Sequence, residues 1–128
     1  MKTENEIARA VLDAAYKIHT KLGPGLLESV YESVLAYELT KSEITTRRQV
    51  PIPIRYEELK FEEGYRADIL AGEKVLVELK SVERLLPVHA KQVLTQLRLS
   101  SHRLGLLINF GELHLKDGIK RIANGLPD

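Results

Sequence analysis

The chain has 128 residues, of which 44% are hydrophobic and 29% charged, and its formal net charge is +1. This is the composition of an ordinary globular protein, and we expect one cytoplasmic domain spanning residues 1–128. No run approaches the roughly 18 apolar residues of a membrane span, and residues 1–6 lack the pattern of a signal peptide. Because cysteine is absent, disulfides, thiol catalysis and cysteine-ligated zinc are excluded.

Two helices are predicted at the start of the chain. Residues 3–6 (Thr-Glu-Asn-Glu) have the pattern of a capping box, and the helical spacing of apolar residues predicts a first helix that runs to about Leu22. The Gly-Pro-Gly sequence at 23–25 ends it. A second helix is predicted from about Leu26 to Thr40. Its broad apolar side is expected to contain Leu27, Val30, Tyr31 and Val34.

Three strands are predicted next. Residues 44–54 form the first, and Pro51 and Pro53 suit a strand at the edge of a sheet. Residues 65–70 and 74–80 form the next two strands, and the turn residues between them predict a hairpin.

This hairpin decides where three charged residues lie. Side chains of a strand alternate between faces, so Glu78 and Lys80 share one face with Leu76. A one-residue slip in register would turn every side chain to the other face. We expect Asp68 directly opposite Glu78, with the three-residue loop 72–74, whose glycine is free to adopt a left-handed conformation. A two-residue loop would separate the two acids.

Two carboxylates and an ammonium group on one sheet face would form a divalent-metal site with its own cation. Oxygen ligands of this kind suit Mg²⁺ or Mn²⁺. The alternative is a solvated stripe in which Glu78 and Lys80 face water and Asp68 is unrelated, since charges often alternate on sheets with one exposed face. A covering helix favours the metal site, because charges beneath a helix need partners or a metal ion.

A crossover helix and a parallel strand are predicted in the last third. Residues 87–101 have helical periodicity after a favourable initial proline, and residues 104–110 are an apolar run typical of a strand covered on both faces. Such a unit closes as a right-handed parallel crossover. The tail at 112–122 fits either an edge strand or a short helix. The whole predicts an α/β fold of mixed α+β type, in the order αα-βββ-α-β, with a mixed sheet and helices on both faces.

The second half of the chain is the more basic. Residues 79–128 carry 8 Lys and Arg against 4 Asp and Glu, whereas residues 1–78 carry 11 against 14. Cations such as Arg84 and Lys91 could form a surface that faces phosphates. A scatter of this size more often serves solubility alone, and few aromatic side chains are present there for base stacking.

The order of these elements, with nine residues between Asp68 and the sequence Glu78-Leu79-Lys80, resembles the PD-(D/E)xK phosphodiesterase superfamily. Ala67 stands in place of the proline of that name, which many members also lack. Gly25, Glu28 and Tyr31 further resemble the signature of its small GxxExxY branch. The resemblance spans nearly the whole chain. It implies a three-layer restriction-endonuclease-like core with a short C-terminal element.

The resemblance implies metal-dependent hydrolysis of a nucleic-acid backbone, with DNA favoured over RNA. Asp68, Glu78 and the backbone carbonyl of Leu79 would hold one Mg²⁺ or Mn²⁺ ion. Lys80 would orient the attacking water or stabilise the developing negative charge. Glu28 would be an outer ligand, for a second ion or a water molecule. A salt bridge or a cap near the helix start is the alternative role for Glu28.

The crossover helix would supply substrate contacts. In related nucleases a glutamine on this helix supports the active site or the substrate phosphate, and Gln92 matches its position. Gln96 stands where a tyrosine often follows, and it shares a helical face with His89 and Gln92. His89, Gln96, Arg84 and Lys91 are therefore expected to contact the substrate. A surface amide is the alternative for Gln92.

Two other functions stay open at this point. The same fold could serve as a catalytically silent module that binds nucleic acid or a protein. Hydrolysis of a small phosphorylated molecule would require a closed pocket. A retained pair of acids favours chemistry, because an unused pair would carry a desolvation and repulsion cost. No membrane partner is expected, and a two-fold homodimer would supply two sites for the two strands of a duplex.

Overall fold

The computed structural model describes residues 2–127. Its elements are α1 (Glu4–Leu22), α2 (Glu28–Lys41), β1 (Thr46–Tyr56), β2 (Leu59–Ala71), β3 (Val75–Lys80), α3 (Pro87–Ser100), β4 (Leu104–Asn109), a 3₁₀ turn (Leu115–Gly118) and β5 (Ile119–Ala123). The strands form one sheet in the order β1-β2-β3-β4-β5. Strands β3 and β4 are parallel, and the other neighbours are antiparallel.

The sheet lies between two helical layers. One core joins α1 and α2 to the sheet through residues such as Tyr31, Leu35 and Phe110. A smaller core joins α3 to the opposite face through Val93 and Leu97. The predicted α/β fold, with a mixed sheet and helices on both faces, is therefore confirmed. In the part of the chain that is described, no helix combines the length and the apolar character that a membrane crossing requires.

The start of α1 follows its sequence signal, whereas α2 differs from its prediction. The Thr3 hydroxyl accepts a hydrogen bond from the Glu6 amide at 3.2 Å, and the Glu6 carboxylate accepts one from the Thr3 amide at 2.9 Å, which completes the capping box. Helix α2 begins at Glu28, two residues later than predicted. Leu27 and Val30 are 73% and 38% exposed, so their assignment to the buried side was wrong. The side that is buried contains Tyr31, Glu32, Leu35, Ala36 and Leu39.

The β1–β2 hairpin is longer than predicted. The expected strand at 65–70 is the last half of β2, which begins at Leu59. The added residues 59–64 are all exposed, including the apolar Leu59 and Phe61. Their alternation is short and ends in two glutamates and a glycine, residues that are depleted in strands. Strand β1 lies at one edge of the sheet, as its prolines predicted. The tail contains both of its alternatives, a 3₁₀ turn followed by the edge strand β5.

The side chain of Asn109 forms hydrogen bonds with the segment that follows β3. This side chain is fully buried at the end of β4. Its Oδ1 accepts hydrogen bonds from the amides of Val82 and Gly111, both at 3.0 Å, and its Nδ2 donates to the Val82 carbonyl at 2.9 Å. A Cβ atom on Gly111 would lie 2.1 Å from that carbonyl oxygen, so only glycine fits. The chain that leaves β3 is therefore held against the end of β4.

We predict that Asn109→Ala lowers the free energy of unfolding by about 3 kcal/mol, because three hydrogen bonds are lost and buried backbone groups remain unpaired. Chemical denaturation measures the change. Glu58→Ala, at an exposed position of the turn between β1 and β2, is the control and should stay within about 0.5 kcal/mol of the parent protein. A loss below about 1 kcal/mol for Asn109→Ala would contradict a stabilising role for these three hydrogen bonds.

Candidate active site

The turn between β2 and β3 has the predicted length. Ala71 pairs with Val75, which leaves residues 72–74 as a three-residue loop. Gly72 adopts a φ of 59°, the left-handed conformation that glycine favours. The last pair of this register is Ile69 with Val77, so Asp68 and Glu78 are the next positions along the two strands. The predicted register is thus confirmed.

The faces of β3 also follow the prediction. Val75, Val77 and Leu79 pack in the core beneath α1 and α2. Leu76 packs beneath α3. By strand alternation, Glu78 and Lys80 lie on the α3 face, near the end of the strand.

Asp68 lies where the pairing of β2 with β3 ends. Its Oδ2 accepts a hydrogen bond from the Leu79 amide at 2.8 Å. The last paired residues of the two strands are Ile69 and Val77. Beyond them, the Leu79 amide donates to the Asp68 side chain and not to a backbone carbonyl of β2. This bond brings the Leu79 backbone, the predicted source of a carbonyl ligand, against the Asp68 carboxylate.

Glu78 is a largely buried carboxylate with an unsatisfied oxygen. Its side chain is 18% exposed, and its Oε2 lies 3.7 Å from the Lys80 Nζ. Its Oε1 is buried and has no hydrogen-bond partner among residues 2–127. Burial raises the pKa of Glu78 to about 8, and the neighbouring charge of Asp68 adds to this, while Lys80 opposes it. A buried acceptor without a donor is costly unless a cation satisfies it.

These donors fit a hard divalent ion. Residues 2–127 contain no group of three His, Cys, Asp or Glu side chains suited to one metal ion. The acids that act on each other here are Asp68 and Glu78, so any further ligands would be backbone or water oxygens. Mg²⁺ is commonly held by one or two carboxylates and keeps several water ligands. The unsatisfied Oε1 of Glu78 and the oxygen-only donor set agree with such an ion.

The chain matches the family model of the PD-(D/E)XK nuclease superfamily over residues 5–122. It belongs to this superfamily. The match runs from α1 to β5 and includes the Asp68, Glu78 and Lys80 positions. The arrangement of helices and strands is that of its restriction-endonuclease-like fold, and nucleases of the superfamily generally use divalent metal ions. No curated protein and no solved structure matches the chain.

Glu28 approaches the candidate site from α2. It is exposed at the first position of the helix, and its charge contributes to the raised pKa of Glu78. The loop before it is held by Tyr31, whose hydroxyl donates to the Gly23 carbonyl and accepts from the Leu26 amide. Tyr31 is fully buried and stacks on Phe110 with ring centroids 4.3 Å apart. The predicted core packing of Tyr31, with a bonded hydroxyl, is confirmed.

A cleft opens beside the site. It has a volume of about 510 Å³ and lies between the start of α2 and the end of β3. Ser81, the residue after Lys80, lines it and donates a hydrogen bond from its hydroxyl to the Leu26 carbonyl at 2.6 Å. Its other lining residues are Gly25, Leu26, Leu27, Glu28 and Ser29.

The glutamines of α3 lie over a different cavity. Gln92 is exposed, and together with Gln96 and Tyr65 it lines a cavity of about 320 Å³ between α3 and the β1–β2 hairpin. The Tyr65 hydroxyl donates to the Gln96 carbonyl at 2.7 Å. Burial raises the pKa of Tyr65 to about 12, and the charge of Glu78 acts in the same direction.

The other predicted substrate contacts lie around the start of α3. The Nδ1 of His89 accepts a hydrogen bond from the Leu86 amide at 3.0 Å, so this nitrogen serves the helix start. Arg84 and Lys91 are exposed. Within the described chain, no hydrogen bond or ion pair links His89, Gln92, Arg84 or Lys91 to the three central charged residues.

Sequence reasoning missed three residues beside the site. Glu32 is buried on α2, and it accepts hydrogen bonds from Arg48 and Gln49 of β1. Gln49 also reaches Asp68. The position of Glu32 could have indicated this group, because Glu32 directly follows the buried Tyr31 and lies one turn after Glu28 on the same helix.

The raised pKa of Glu78 makes a prediction about stability in the absence of metal. An acid whose pKa is raised from 4.5 to about 8 by folding binds more protons in the folded state, so stability falls as pH rises across that interval. We predict that Glu78→Gln stabilises the metal-free protein by on the order of 2 kcal/mol at pH 8, and that the gain shrinks toward pH 4.5.

Thermal unfolding in the presence of EDTA, recorded between pH 4.5 and pH 8, measures this gain. Glu83→Gln removes the same charge from an exposed position and is the matched control. An equal gain in both variants, or a Glu78→Gln gain that does not depend on pH, would contradict a buried Glu78 carboxyl with a raised pKa.

Proposed function

We propose that the protein is a divalent-metal-dependent nuclease of the GxxExxY branch that hydrolyses the phosphodiester bonds of DNA. The observation that supports this most strongly is the buried, unsatisfied Oε1 of Glu78. It lies on a strand opposite Asp68 and beside Lys80. A pair of acids able to bind a cation, with an ammonium group beside it, is an arrangement that suits metal-dependent hydrolysis of phosphodiesters.

Asp68, Glu78 and the backbone carbonyl of Leu79 would hold a Mg²⁺ or Mn²⁺ ion. The hydrogen bond from the Leu79 amide to Asp68 supports this set, because it brings the two ligand-bearing segments together. Such an ion, when bound, would act as a Lewis acid toward a phosphoryl oxygen. Glu28 would hold a second ion or an outer water, since its charge already acts on Glu78.

Lys80 would act on the reacting groups directly. Its Nζ lies 3.7 Å from the Glu78 Oε2, and its side chain is 23% exposed, so it is both held at the site and accessible to a substrate. From this position the ammonium group would orient an attacking water molecule by hydrogen bonding. It would also stabilise the negative charge that develops on the phosphoryl oxygens.

The nucleic acid would approach the end of β3. The cleft lined by Glu28 and Ser81 offers a path beside Lys80. On the α3 side, Gln92 would support the site or a phosphate, and His89, Gln96, Arg84 and Lys91 would contact the backbone. A two-fold homodimer would carry two such sites and could cut both strands of a duplex.

We predict that Lys80→Ala lowers cleavage by at least about 100-fold while Mn²⁺ binding persists, because the ammonium group stabilises the transition state and is not a ligand. The assay follows labelled duplex and single-stranded DNA and RNA with Mg²⁺, with Mn²⁺ and with EDTA. Lys21→Ala, at an exposed position near the end of α1, is the charge-matched control and should cleave like the parent protein.

Robust cleavage by Lys80→Ala would refute the role of the lysine. A parent protein that binds no Mn²⁺ would refute the metal site. Tight binding of nucleic acid without cleavage under any metal condition would instead support the catalytically silent module.

A further inference from the structure

Gln49 occupies a strained position directly opposite Asp68. Arg48 pairs with Ile69 and Val50 pairs with Ala67, so the register of β1 and β2 sets Gln49 against Asp68. Its φ is 51°, in the left-handed region. For a residue other than glycine this conformation costs on the order of 1 kcal/mol, and it persists where the surrounding structure enforces it.

The strand alternation changes at the same point. Ala67 and Leu70 both pack in the core beneath α3, whereas Ile69 packs in the core beneath α1 and α2. Regular alternation would put residues 67 and 69 on one face. The pattern therefore slips by one residue at Asp68, opposite the strained Gln49. This slip accompanies the turn of the Asp68 carboxylate toward the Leu79 amide.

The Gln49 side chain joins two carboxylates. Its Nε2 donates to the Glu32 Oε1 and also lies 3.4 Å from the Asp68 Oδ1. Ionised carboxylates only accept hydrogen bonds, so the amide nitrogen, and not the amide oxygen, must face both. An NH₂ group has one hydrogen for each of the two acids.

Glu32 is a firm anchor for this amide. Its side chain is 9% exposed, and its Oε2 accepts from the Arg48 guanidinium at 2.9 Å. The Arg48 Nη2 also donates to the Ser33 hydroxyl at 2.9 Å, which ties β1 to α2. A buried acid with a charged partner on one oxygen and an amide on the other has little freedom to move.

We propose that Gln49 is a positioning residue that holds the Asp68 carboxylate in the orientation needed to bind the metal ion, with the Glu32–Arg48 pair as its anchor. Asp68 then receives an N–H donor on each oxygen, from Leu79 on Oδ2 and from Gln49 on Oδ1. The metal-binding role of Asp68 rests on the proposed function, whereas the hold of Gln49 on Asp68 does not. Removing a residue that orients a metal ligand typically costs about 10- to 100-fold in metal affinity or activity.

The test uses two variants at position 49 and one control. Gln49→Ala removes the amide. Gln49→Asn keeps an amide in a residue that tolerates left-handed backbone, but it is one methylene too short to reach both acids. Glu57→Ala is the control, because Glu57 has the same φ of 51° but lies in the turn between β1 and β2.

Two readouts report on the site independently. Titration calorimetry measures Mn²⁺ affinity, and hydrogen exchange of the metal-free protein measures protection of the Leu79 amide, which is bonded to Asp68. We expect both position-49 variants to bind Mn²⁺ about 10-fold more weakly and to lose about 10-fold in Leu79 protection. In cleavage assays the half-maximal Mn²⁺ concentration should rise similarly while KM for DNA stays constant. Glu57→Ala should change none of these.

Mn²⁺ affinity and Leu79 protection that stay at parental levels in Gln49→Asn would overturn the inference and leave the nuclease proposal standing. A parent protein that neither binds Mn²⁺ nor cleaves would overturn the nuclease proposal. In that case the Leu79 exchange still decides whether Gln49 holds Asp68, since it is read without metal. A purely structural Gln49 would lower the melting temperature without changing the Mn²⁺ dependence.

Discussion

The hydrogen bond from the Leu79 amide to the Asp68 carboxylate lies where β2 and β3 stop pairing. In a regular ladder this amide would bond to a backbone carbonyl of the neighbouring strand. Because the Leu79 amide bonds to a side chain, the ladder ends here, and the Asp68 carboxylate lies beside the backbone of β3. Glu78 and Lys80 lie on β3 on either side of Leu79, so their side chains are close to the Asp68 carboxylate. The site thus depends on one exchanged hydrogen bond and on the short turn that sets its register.

The two acids of the site differ in their surroundings. Asp68 has N–H donors on both oxygens, whereas the Glu78 Oε1 has none among the described residues. Burial then favours the protonated form of Glu78 at neutral pH and raises its pKa to about 8. A cation that binds here would displace that proton, because a carboxylate ligates in its ionised form. One acid is therefore oriented by two N–H donors, whereas the other is buried in surroundings that favour its protonated form.

The sequence was sufficient wherever a local pattern determines the structure. The capping box of α1, the turn with Gly72 and the apolar run of β4 each depend on residues a few positions apart, and each appears as predicted. The environments of Gln49 and Glu32 depend on contacts between α2 and β1, which no spacing within either segment reveals. Leu27 shows the same limit, because its apolar side chain follows the helical pattern but no neighbouring element covers it.

Pro51 and Pro53 give the outer margin of the sheet a further property. Strand β1 is at the edge, and neither proline has a backbone N–H to offer. An extended segment of another molecule therefore finds an interrupted row of N–H donors along β1, which disfavours pairing between the sheets of separate molecules there. A fold that exposes a long hairpin to solvent is thereby protected against aggregation by two residues that make no contribution to its chemistry.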